Sequence, residues 1–398
     1  MAIGGLATAD EISRTSALAR EHGRLGIDTE FMSEGRYRAL LCLVQVAVDD
    51  PESPTGTHIV LIDPLADPDL DSLPELLADP AIEIILHAGR QDVAILRRAW
   101  RTEVTNIFDT QISAGFAGGG AQTGYGNLIG SVLGLRVGKT ASYTRWDARP
   151  LSGEQLSYAA EDVVHLLQLA DELQRRLSES ERLEWAREEC RRLEGSTDER
   201  DPATAWERLP RINGLDPRAR AVARELAAWR ERTAATEDRP VGSVLADAPL
   251  VELAKRQPDS TRGIEQIRGI HPPTVRRRGE QILAAIHAGR SAEPIAREAS
   301  RGRSEAADAP LIALTEALLR ARSLEAGLAY ELLASRSELE QIVGAVRRGE
   351  SEPAVRTLSG WRRALVGDEL RDLLTGRAAL WVGDGRRLEL ERRSAMAQ

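Results

Sequence analysis

A run of ten largely apolar residues near the N-terminus constrains the fold of this chain more than any other feature. Residues 39–48 read ALLCLVQVAV. A strand with one face in solvent alternates apolar and polar residues, so a nearly unbroken apolar run predicts a central strand buried on both faces. The surrounding patterns predict strands at residues 25–31, 58–63 and 82–87 and helices at residues 70–77 and 91–100. Three strands followed by alternating helix and strand predict a mixed sheet with helices packed on it.

The rest of the chain is helical, and two weakly apolar stretches divide it. With 398 residues the chain exceeds the size at which a single core stops growing. Turn formers at residues 195–202 and an Ala, Ser, Arg and Glu-rich stretch at 291–309 are predicted linkers. The all-helical segment 211–290 is predicted to hold about five short helices, and the last segment ends in a strand-like Leu380–Val382. The predicted domains are residues 1–195, 210–290 and 308–398.

The net charge of −9 conceals an uneven distribution. Residues 1–180 carry a net −11, whereas the remainder carries +2. Cations bound at a carboxylate cluster would explain the acidic half, and the more basic half could contact a phosphate backbone. On charge alone, surface carboxylates that keep the domain soluble are the better explanation.

Compartment and membrane signals point to the reducing cytoplasm. Cys42 and Cys190 are too few for a disulfide framework, and the N-terminus has no basic region followed by an apolar core. Residues 110–135 are mostly uncharged and long enough to span a bilayer. Glycines 118–120 within them predict instead a Gly-rich loop that leads into a helix.

Four acidic residues and a tyrosine are candidates for a catalytic site. Asp28 and Glu30 lie two apart on a predicted strand and so project from the same side. Asp92 falls in the first turn of a predicted helix, and Tyr158 and Asp162 lie four apart on another, where they share a face. Taken singly, these patterns fit a solvated strand face, a carboxylate that complements a helix dipole and an ordinary amphipathic helix.

Together the segments closely resemble a known family. DTEF (28–31), HAGRQD (87–92), FDTQISA (108–114) and WDARPLSGEQLSYAAED (146–162) resemble the exonuclease motifs of the ribonuclease D family. This family belongs to the DEDD superfamily, and Tyr158 indicates its tyrosine branch. The resemblance covers roughly residues 20–175. It implies an α/β ribonuclease-H-like domain, a mixed sheet flanked by helices, with 3′-5′ exoribonuclease activity.

The resemblance also implies the catalytic residues and their roles. Asp28, Glu30, Asp92 and Asp162 are the expected ligands of two divalent metal ions. Asp28 would bridge the ions, Glu30 and Asp162 would hold the ion that activates water, and Asp92 would act mostly through coordinated water on the other. Hard oxygen ligands favour Mg²⁺ or Mn²⁺, and the sequence has no His/Cys cluster suited to zinc. Tyr158, with a reference pKa of about 10, is expected to orient the attacking water through its intact hydroxyl.

The helical segments resemble domains that accompany this exonuclease. Residues 211–290 resemble the helicase-and-RNase-D C-terminal (HRDC) domain, and residues 318–343 and 358–374 look like a diverged second copy. The sequence thus predicts all-α HRDC-type domains after the exonuclease domain. Residues 211–290 carry a net +5, and low-ranked candidates for RNA contacts are Phe31, Lys139, Arg276, Arg277 and Arg278. A basic run of this kind is more often a solvated face.

The expected substrate is the 3′ end of RNA, shortened to nucleoside 5′-monophosphates. Single-stranded tails on structured RNA, such as transfer RNA precursors, are what the family implies. Two alternatives stay open: a 3′-5′ DNA exonuclease, since no residue reads out the 2′-hydroxyl, and a non-catalytic RNA-binding scaffold. Neither a membrane partner nor a particular oligomeric state is indicated.

Overall fold

The predicted exonuclease domain, residues 1–195, is called the catalytic half, and it contains the predicted mixed sheet. The computed structural model describes residues 5–66, 72–120, 122–136, 145–296 and 306–392. The strands are β1 (Arg24–Met32), β2 (Leu40–Asp49), β3 (Thr57–Ile62), β4 (Glu83–Leu86) and β5 (Ile107–Asp109). Helices in this half are α1 (Ala9–His22), α2 (Ser72–Ala78), α3 (Arg90–Trp100), α4 (Thr110–Phe116), α5 (Tyr125–Leu133), α6 (Gly153–Glu161), α7 (Leu166–Glu179) and α8 (Leu183–Cys190).

The sheet order is β3-β2-β1-β4-β5. β1 pairs antiparallel with β2 and parallel with β4, so the sheet is mixed, as predicted. All residues of β2 between its two ends are buried, which confirms the interpretation of the apolar run. Successive residues of β1 face opposite sides of the sheet. Leu25 and Ile27 pack with α1 and α3 on one side, whereas Gly26 meets α7 on the other. The sheet therefore lies between two helical layers.

Three elements of this half, α1, β5 and α4, were not predicted. The helix α1 begins at a capping box, in which Thr8 and Glu11 bond each other's backbone N–H groups, and it ends at Gly23 with φ of +69°. The strand β5 has only three residues, all buried, which is too short for an alternation signal. The helix α4, which precedes the glycines, was also not predicted, whereas Gly118–Gly120 does lead into a helix, α5, as predicted.

The first helical segment forms a compact bundle with its own core. Its helices are α9 (Pro217–Thr236), α10 (Val241–Val244), α11 (Asp247–Arg256), α12 (Thr261–Glu265) and α13 (Pro272–Ser291). Leu226, Leu250 and Ile282 are fully buried where α9, α11 and α13 meet. The bundle docks on the loop after β1, where the Tyr37 hydroxyl donates to Glu231 at 2.8 Å and Arg36 pairs with Asp238 at 2.8 Å.

The second helical segment ends in a hairpin. It contains α14 (Ala309–Ala326), α15 (Tyr330–Leu333), α16 (Arg336–Arg348), α17 (Gly360–Arg362), a π-helical stretch (Arg363–Gly367), α18 (Asp368–Leu374), β6 (Ala378–Val382) and β7 (Leu388–Arg392). The strand-like Leu380–Val382 belongs to β6, whose antiparallel partner β7 was not predicted.

This segment docks on α8 through a buried pair of residues. Trp361 stacks on Trp185 with ring centroids 5.3 Å apart and meets the edge of Phe116 at 5.0 Å. The guanidinium of Arg362, which has no exposed surface, binds both carboxylate oxygens of Glu189. Burial would raise the pKa of Glu189, but the hydrogen bonds and charge of Arg362 outweigh burial and hold it below its usual value.

The predicted linker at 195–202 lies against the catalytic half. Arg97 Nη1 donates to the carbonyl oxygen of Ser196 at 2.9 Å, and Arg98 pairs with Asp198 at 2.8 Å. The other predicted linker is described only at its two ends, because residues 297–305 lie outside the described part. Among the described helices, none combines the length and apolar character needed to cross a membrane.

Candidate functional site

Asp28 and Glu30 project from the same face of β1, as predicted, toward the layer that contains α6 and α7. Gly26 precedes them on this face, and a Cβ at Gly26 would lie 3.2 Å from Leu166 Cδ2 in the first turn of α7. The missing side chain lets α7 approach β1 closely. Because Asp162 lies four residues before Leu166, this approach brings the Asp162 carboxyl toward Asp28.

Asp92 reaches the site from the first turn of α3, as predicted. The start of α3 is pressed against the end of β4, since a Cβ at Gly89 would lie 2.7 Å from Leu86 Cβ. Asp109 holds this turn in place. Its buried carboxylate accepts from the backbone N–H groups of Gly89, Gln111 and Ile112 at 2.8, 2.9 and 3.0 Å. Asp109 is therefore a structural acid, although it lies within one of the family-like segments.

Tyr158 and Asp162 come from α6 and its C-cap. The helix begins at a capping box formed by Ser152 and Gln155 and ends at Glu161, so Asp162 lies where the chain turns toward α7. Tyr158 donates a hydrogen bond to Asp162. The ring of Tyr158 lies 6.0 Å from that of buried Trp146, measured between centroids. The predicted shared face of the two residues is confirmed.

The electrostatics show that the four carboxyl groups converge. Burial, followed by the charges of Asp92, Asp162 and Glu30, raises the pKa of Asp28 well above its ordinary value. Burial and the charges of Asp162 and Asp92 raise the pKa of Glu30 to about 8. Burial and the charge of Glu161 raise the pKa of Asp162 to about 7 against the opposing Tyr158 hydrogen bond. Burial raises the pKa of Asp92 despite a bond from Thr29.

The tyrosine keeps its proton in these surroundings. Burial and then the charges of Asp162, Glu30 and Asp28 raise the pKa of Tyr158 above its ordinary value. A phenolate beside these carboxylates would add another negative charge to a poorly solvated cluster. Tyr158 is therefore a hydroxyl donor at neutral pH, as the sequence predicted.

The donor set fits hard divalent cations, although the side chains are not drawn together as ligands. Across the described residues, no three His, Cys, Asp or Glu side chains have the spacing of a formed metal site. Asp92 accepts a hydrogen bond from the Thr29 hydroxyl, and Asp162 accepts one from Tyr158. Four mutually repelling carboxylates spread apart when uncompensated, and an all-oxygen cluster suits Mg²⁺ or Mn²⁺.

Sequence reasoning missed three polar residues at the site. Thr29 orients Asp92, and Tyr125 lies near enough to Asp162 and Asp28 for their charges to raise its pKa after burial. Gln45 is directly opposite Asp28 in the β1–β2 register and has no exposed surface. Within the described chain, neither amide atom of Gln45 has a hydrogen-bond partner. A glutamine inside an apolar strand was the available signal.

The candidates for RNA contacts are separated by the structure. Phe31 is partly buried against the core beneath β1, after a β-bulge that follows Glu30. Lys139 lies outside the described residues. Arg278 is only 5% exposed and binds Glu237 at 2.7 Å, so it holds α13 to the end of α9 and does not face a substrate. Arg276 and Arg277 are exposed, and for them a phosphate contact stays a prediction.

Comparisons with known proteins match both the sheet-containing part of the chain and the first helical segment. Residues 5–178 match the family model described as 3′-5′ exonuclease, and residues 219–286 match the HRDC domain model. Ribonuclease D of Granulibacter bethesdensis is 36% identical over 393 residues, 96% of this chain and 94% of that protein. Ribonuclease D of Jannaschia sp. is 34% identical over 383 residues, 94% of this chain and 96% of that protein.

A solved structure resembles the whole chain. The crystal structure of Escherichia coli RNase D, an exoribonuclease involved in structured RNA processing, gives a TM-score of 0.81 at 28% identity. The alignment covers 94% of this chain and 99% of that one. The likeness therefore extends across the sheet and both helical segments.

Proposed function

This chain belongs to the ribonuclease D family, and we propose that the carboxylate cluster beside β1 is its 3′-5′ exoribonuclease active site. The observation that carries the assignment is the convergence of Asp28, Glu30, Asp92 and Asp162, each with a raised pKa, beside a protonated Tyr158. Perturbed carboxyl groups gathered in one place are the usual mark of a functional site. The product is a nucleoside 5′-monophosphate from the RNA 3′ end.

The enzyme depends on divalent metal ions, as the match to the 3′-5′ exonuclease family supports. We assign Mg²⁺ or Mn²⁺ to the site. When bound, two such ions supply an activated water and stabilise charge on the leaving 3′-oxygen. Asp28, at the centre of the cluster, would contact both ions, Glu30 and Asp162 would hold one, and Asp92 the other.

The remaining chemistry is carried out by side chains of this protein. The Tyr158 hydroxyl donates a hydrogen bond to Asp162, and this bond holds the hydroxyl at the edge of the cluster. From that position the hydroxyl orients the attacking water. Thr29 limits the rotation of Asp92 by donating to one of its oxygens.

The helical segments are assigned to holding the body of the RNA, with 1–195, 210–290 and 308–398 as the proposed domain divisions. Their attachment on two sides of the catalytic half, through Tyr37 and Trp361, supports a role in shaping access to the site. By analogy with the relative involved in structured RNA processing, we propose 3′ tails of structured RNA, such as transfer RNA precursors, as substrates. Cytoplasmic location stays a prediction.

One assay tests the assignment. A 3′-tailed RNA, its 3′-phosphorylated form and the matched DNA are incubated with the full chain, with Mg²⁺, Mn²⁺ or chelator. We expect metal-dependent release of nucleoside 5′-monophosphates from the free 3′ end of RNA, and loss of that release in Asp28→Asn. Trimming by Asp28→Asn at the parental rate would refute the site, and faster hydrolysis of DNA would favour the DNA exonuclease alternative.

A further inference from the structure

A cavity at the C-terminal end of α3, away from the carboxylate cluster, is lined by arginines. Its volume is about 640 Å³, and its wall includes Arg38, Arg97, Arg98 and Arg101. Residues 196–199 of the predicted linker close one side. Four arginines around one cavity are unexpected in a half of the chain that carries a net −11.

Two of these arginines are already paired. Arg98 binds the Asp198 carboxylate at 2.8 Å and the Ala39 carbonyl oxygen at 2.5 Å. Arg97 binds the Glu103 carboxylate at 2.6 Å and the carbonyl oxygen of Ser196. These contacts hold the linker against α3 and fix the shape of the cavity.

Among the described residues, the other two arginines have no acidic partner. Neither Arg38 nor Arg101 forms an ion pair or a side-chain hydrogen bond within these ranges, although the Arg38 guanidinium lies 5.8 Å from the Tyr37 ring centroid. Arg101 is exposed, Arg38 is half-buried, and both line the cavity. These two side chains can therefore meet an acceptor that enters the cavity from outside.

Among external acceptors, a phosphate group matches the donors best. Planar guanidinium groups bind phosphate oxygens through paired N–H donors, and among the described residues of the wall Arg38 and Arg101 outweigh the one carboxylate that no arginine binds, Glu199. We propose that this cavity binds a phosphate of the RNA chain upstream of the 3′ end, an inference that rests on the proposed function. The shared chemistry also fits a free phosphate or mononucleotide, which the experiment below separates.

The length of α3 sets the distance from the active site. Asp92 and Arg101 are nine residues apart on this helix and its cap, which corresponds to about 14 Å along the axis. A stacked strand advances about 3.4 Å per nucleotide, so about four nucleotides cover this distance. RNAs shorter than this cannot reach the cavity while their 3′ end is in the active site.

The test uses Arg38→Gln with Arg101→Gln in the full chain. Glutamine keeps much of each side chain's length, and at position 101 it meets the same positive φ of 51° as arginine does. The matched control is Arg20→Gln with Arg175→Gln, which removes the same charge from side chains that are 47% and 54% exposed. Hydrolysis is measured on RNAs of two to twelve nucleotides and on a tailed hairpin.

We expect the cavity variant to raise KM about tenfold on RNAs longer than about four nucleotides and to leave kcat and dinucleotide hydrolysis unchanged. The salt slope on single strands should fall by about 0.7 for one lost phosphate contact. Glu199→Gln removes an exposed negative charge from the wall and should lower KM on the same RNAs. A folding defect cannot produce that opposite effect.

Three outcomes would overturn the inference. The first is a parental KM at every RNA length in the cavity variant, and the second is an equal rise in the control. The third outcome concerns free ligands, for which the rise in Tm with inorganic phosphate or AMP is measured in chelator. If the cavity variant loses this rise in Tm but keeps the parental KM for long RNA, the cavity binds a free phosphate and not the RNA chain. Absence of metal-dependent hydrolysis of every RNA by the parent would contradict the proposed function and not the cavity.

Discussion

Replacing Glu30 by Gln should stabilise the metal-free protein at alkaline pH while abolishing hydrolysis. Burial and the charges of Asp162 and Asp92 raise the pKa of Glu30 from 4.5 to about 8. Between these two values the folded protein holds a proton that the unfolded chain has released. The free energy of unfolding therefore falls as the pH rises from about 4.5 through about 8. A glutamine at this position has no such dependence.

The size of the effect can be bounded. At about 1.36 kcal/mol for each pKa unit, the displacement of the Glu30 pKa corresponds to a ceiling of about 5 kcal/mol at pH 8 and above. Neighbouring carboxyl groups share the repulsion and the structure relaxes, so we expect about 2 kcal/mol. With about 2.1 cal/mol/K of unfolding entropy per residue, this raises Tm by about 2 °C for the whole chain and more if the catalytic half melts separately.

Thermal melts in chelator at about pH 5 and about pH 8 measure this difference. Glu34→Gln is the control, because it makes the same chemical change at an exposed residue of the loop after β1. Excess Mg²⁺ should then raise Tm in the parent more than in Glu30→Gln, since the ion binds only the folded site. The electrostatic reasoning would be refuted if Glu30→Gln and the parent had the same Tm at pH 8. It would also be refuted if the variant gained as much Tm over the parent at pH 5 as at pH 8.

Four further expectations follow from the described contacts. Tyr158→Phe should lower kcat by about 10²–10⁴ with metal-dependent Tm shifts retained; loss of those shifts would make the tyrosine part of the metal site. Gln45→Leu should raise the stability of the protein in chelator by about 1–3 kcal/mol, measured by thermal melts, and should slow hydrolysis. A destabilised variant would contradict the view that the Gln45 amide is buried without a hydrogen-bond partner. The double variant Arg276→Gln, Arg277→Gln should reduce the salt dependence of binding to duplex-bearing RNA by about one unit of slope per lost phosphate contact. Its dinucleotide hydrolysis, the control, should match that of the parent. Arg362→Met should cost about 3 kcal/mol, because the buried Glu189 carboxylate loses its two-point partner and keeps only Arg192, at 3.5 Å, as a cation; protease sensitivity near residue 195 that matches the parent would oppose this.

Sequence patterns were sufficient where burial or spacing is periodic. The apolar run in β2 and the alternation in β1 predicted the sheet, and the spacing of Tyr158 and Asp162 predicted a shared face that the structure confirms. The resemblance supplied the link between segments distant in the chain. Their convergence also depends on Gly26, whose missing Cβ lets α7 approach.

Other features depend on contacts that no local pattern records. The basic run at 276–278 suggested one surface, yet Arg278 is buried on Glu237 because the helix turns its third arginine inward. The acidic Asp109 resembles a catalytic residue in sequence, but three backbone donors occupy its carboxylate. The second strand of the terminal hairpin, LELER, alternates apolar and charged residues over only five positions and was missed.

The docking of Trp361 and Arg362 limits how this enzyme could be rearranged. A catalytic fragment released from its C-terminal segment would expose the faces of Trp185 and Phe116 and leave Glu189 with Arg192, 3.5 Å away, in place of the two-point contact with Arg362. A minimal nuclease would therefore need polar replacements at both aromatic residues and a neutral one at Glu189. Recombination that exchanges the terminal segment alone would have to transfer these acceptor residues with it, so the two ends of the chain are expected to be inherited as a matched pair.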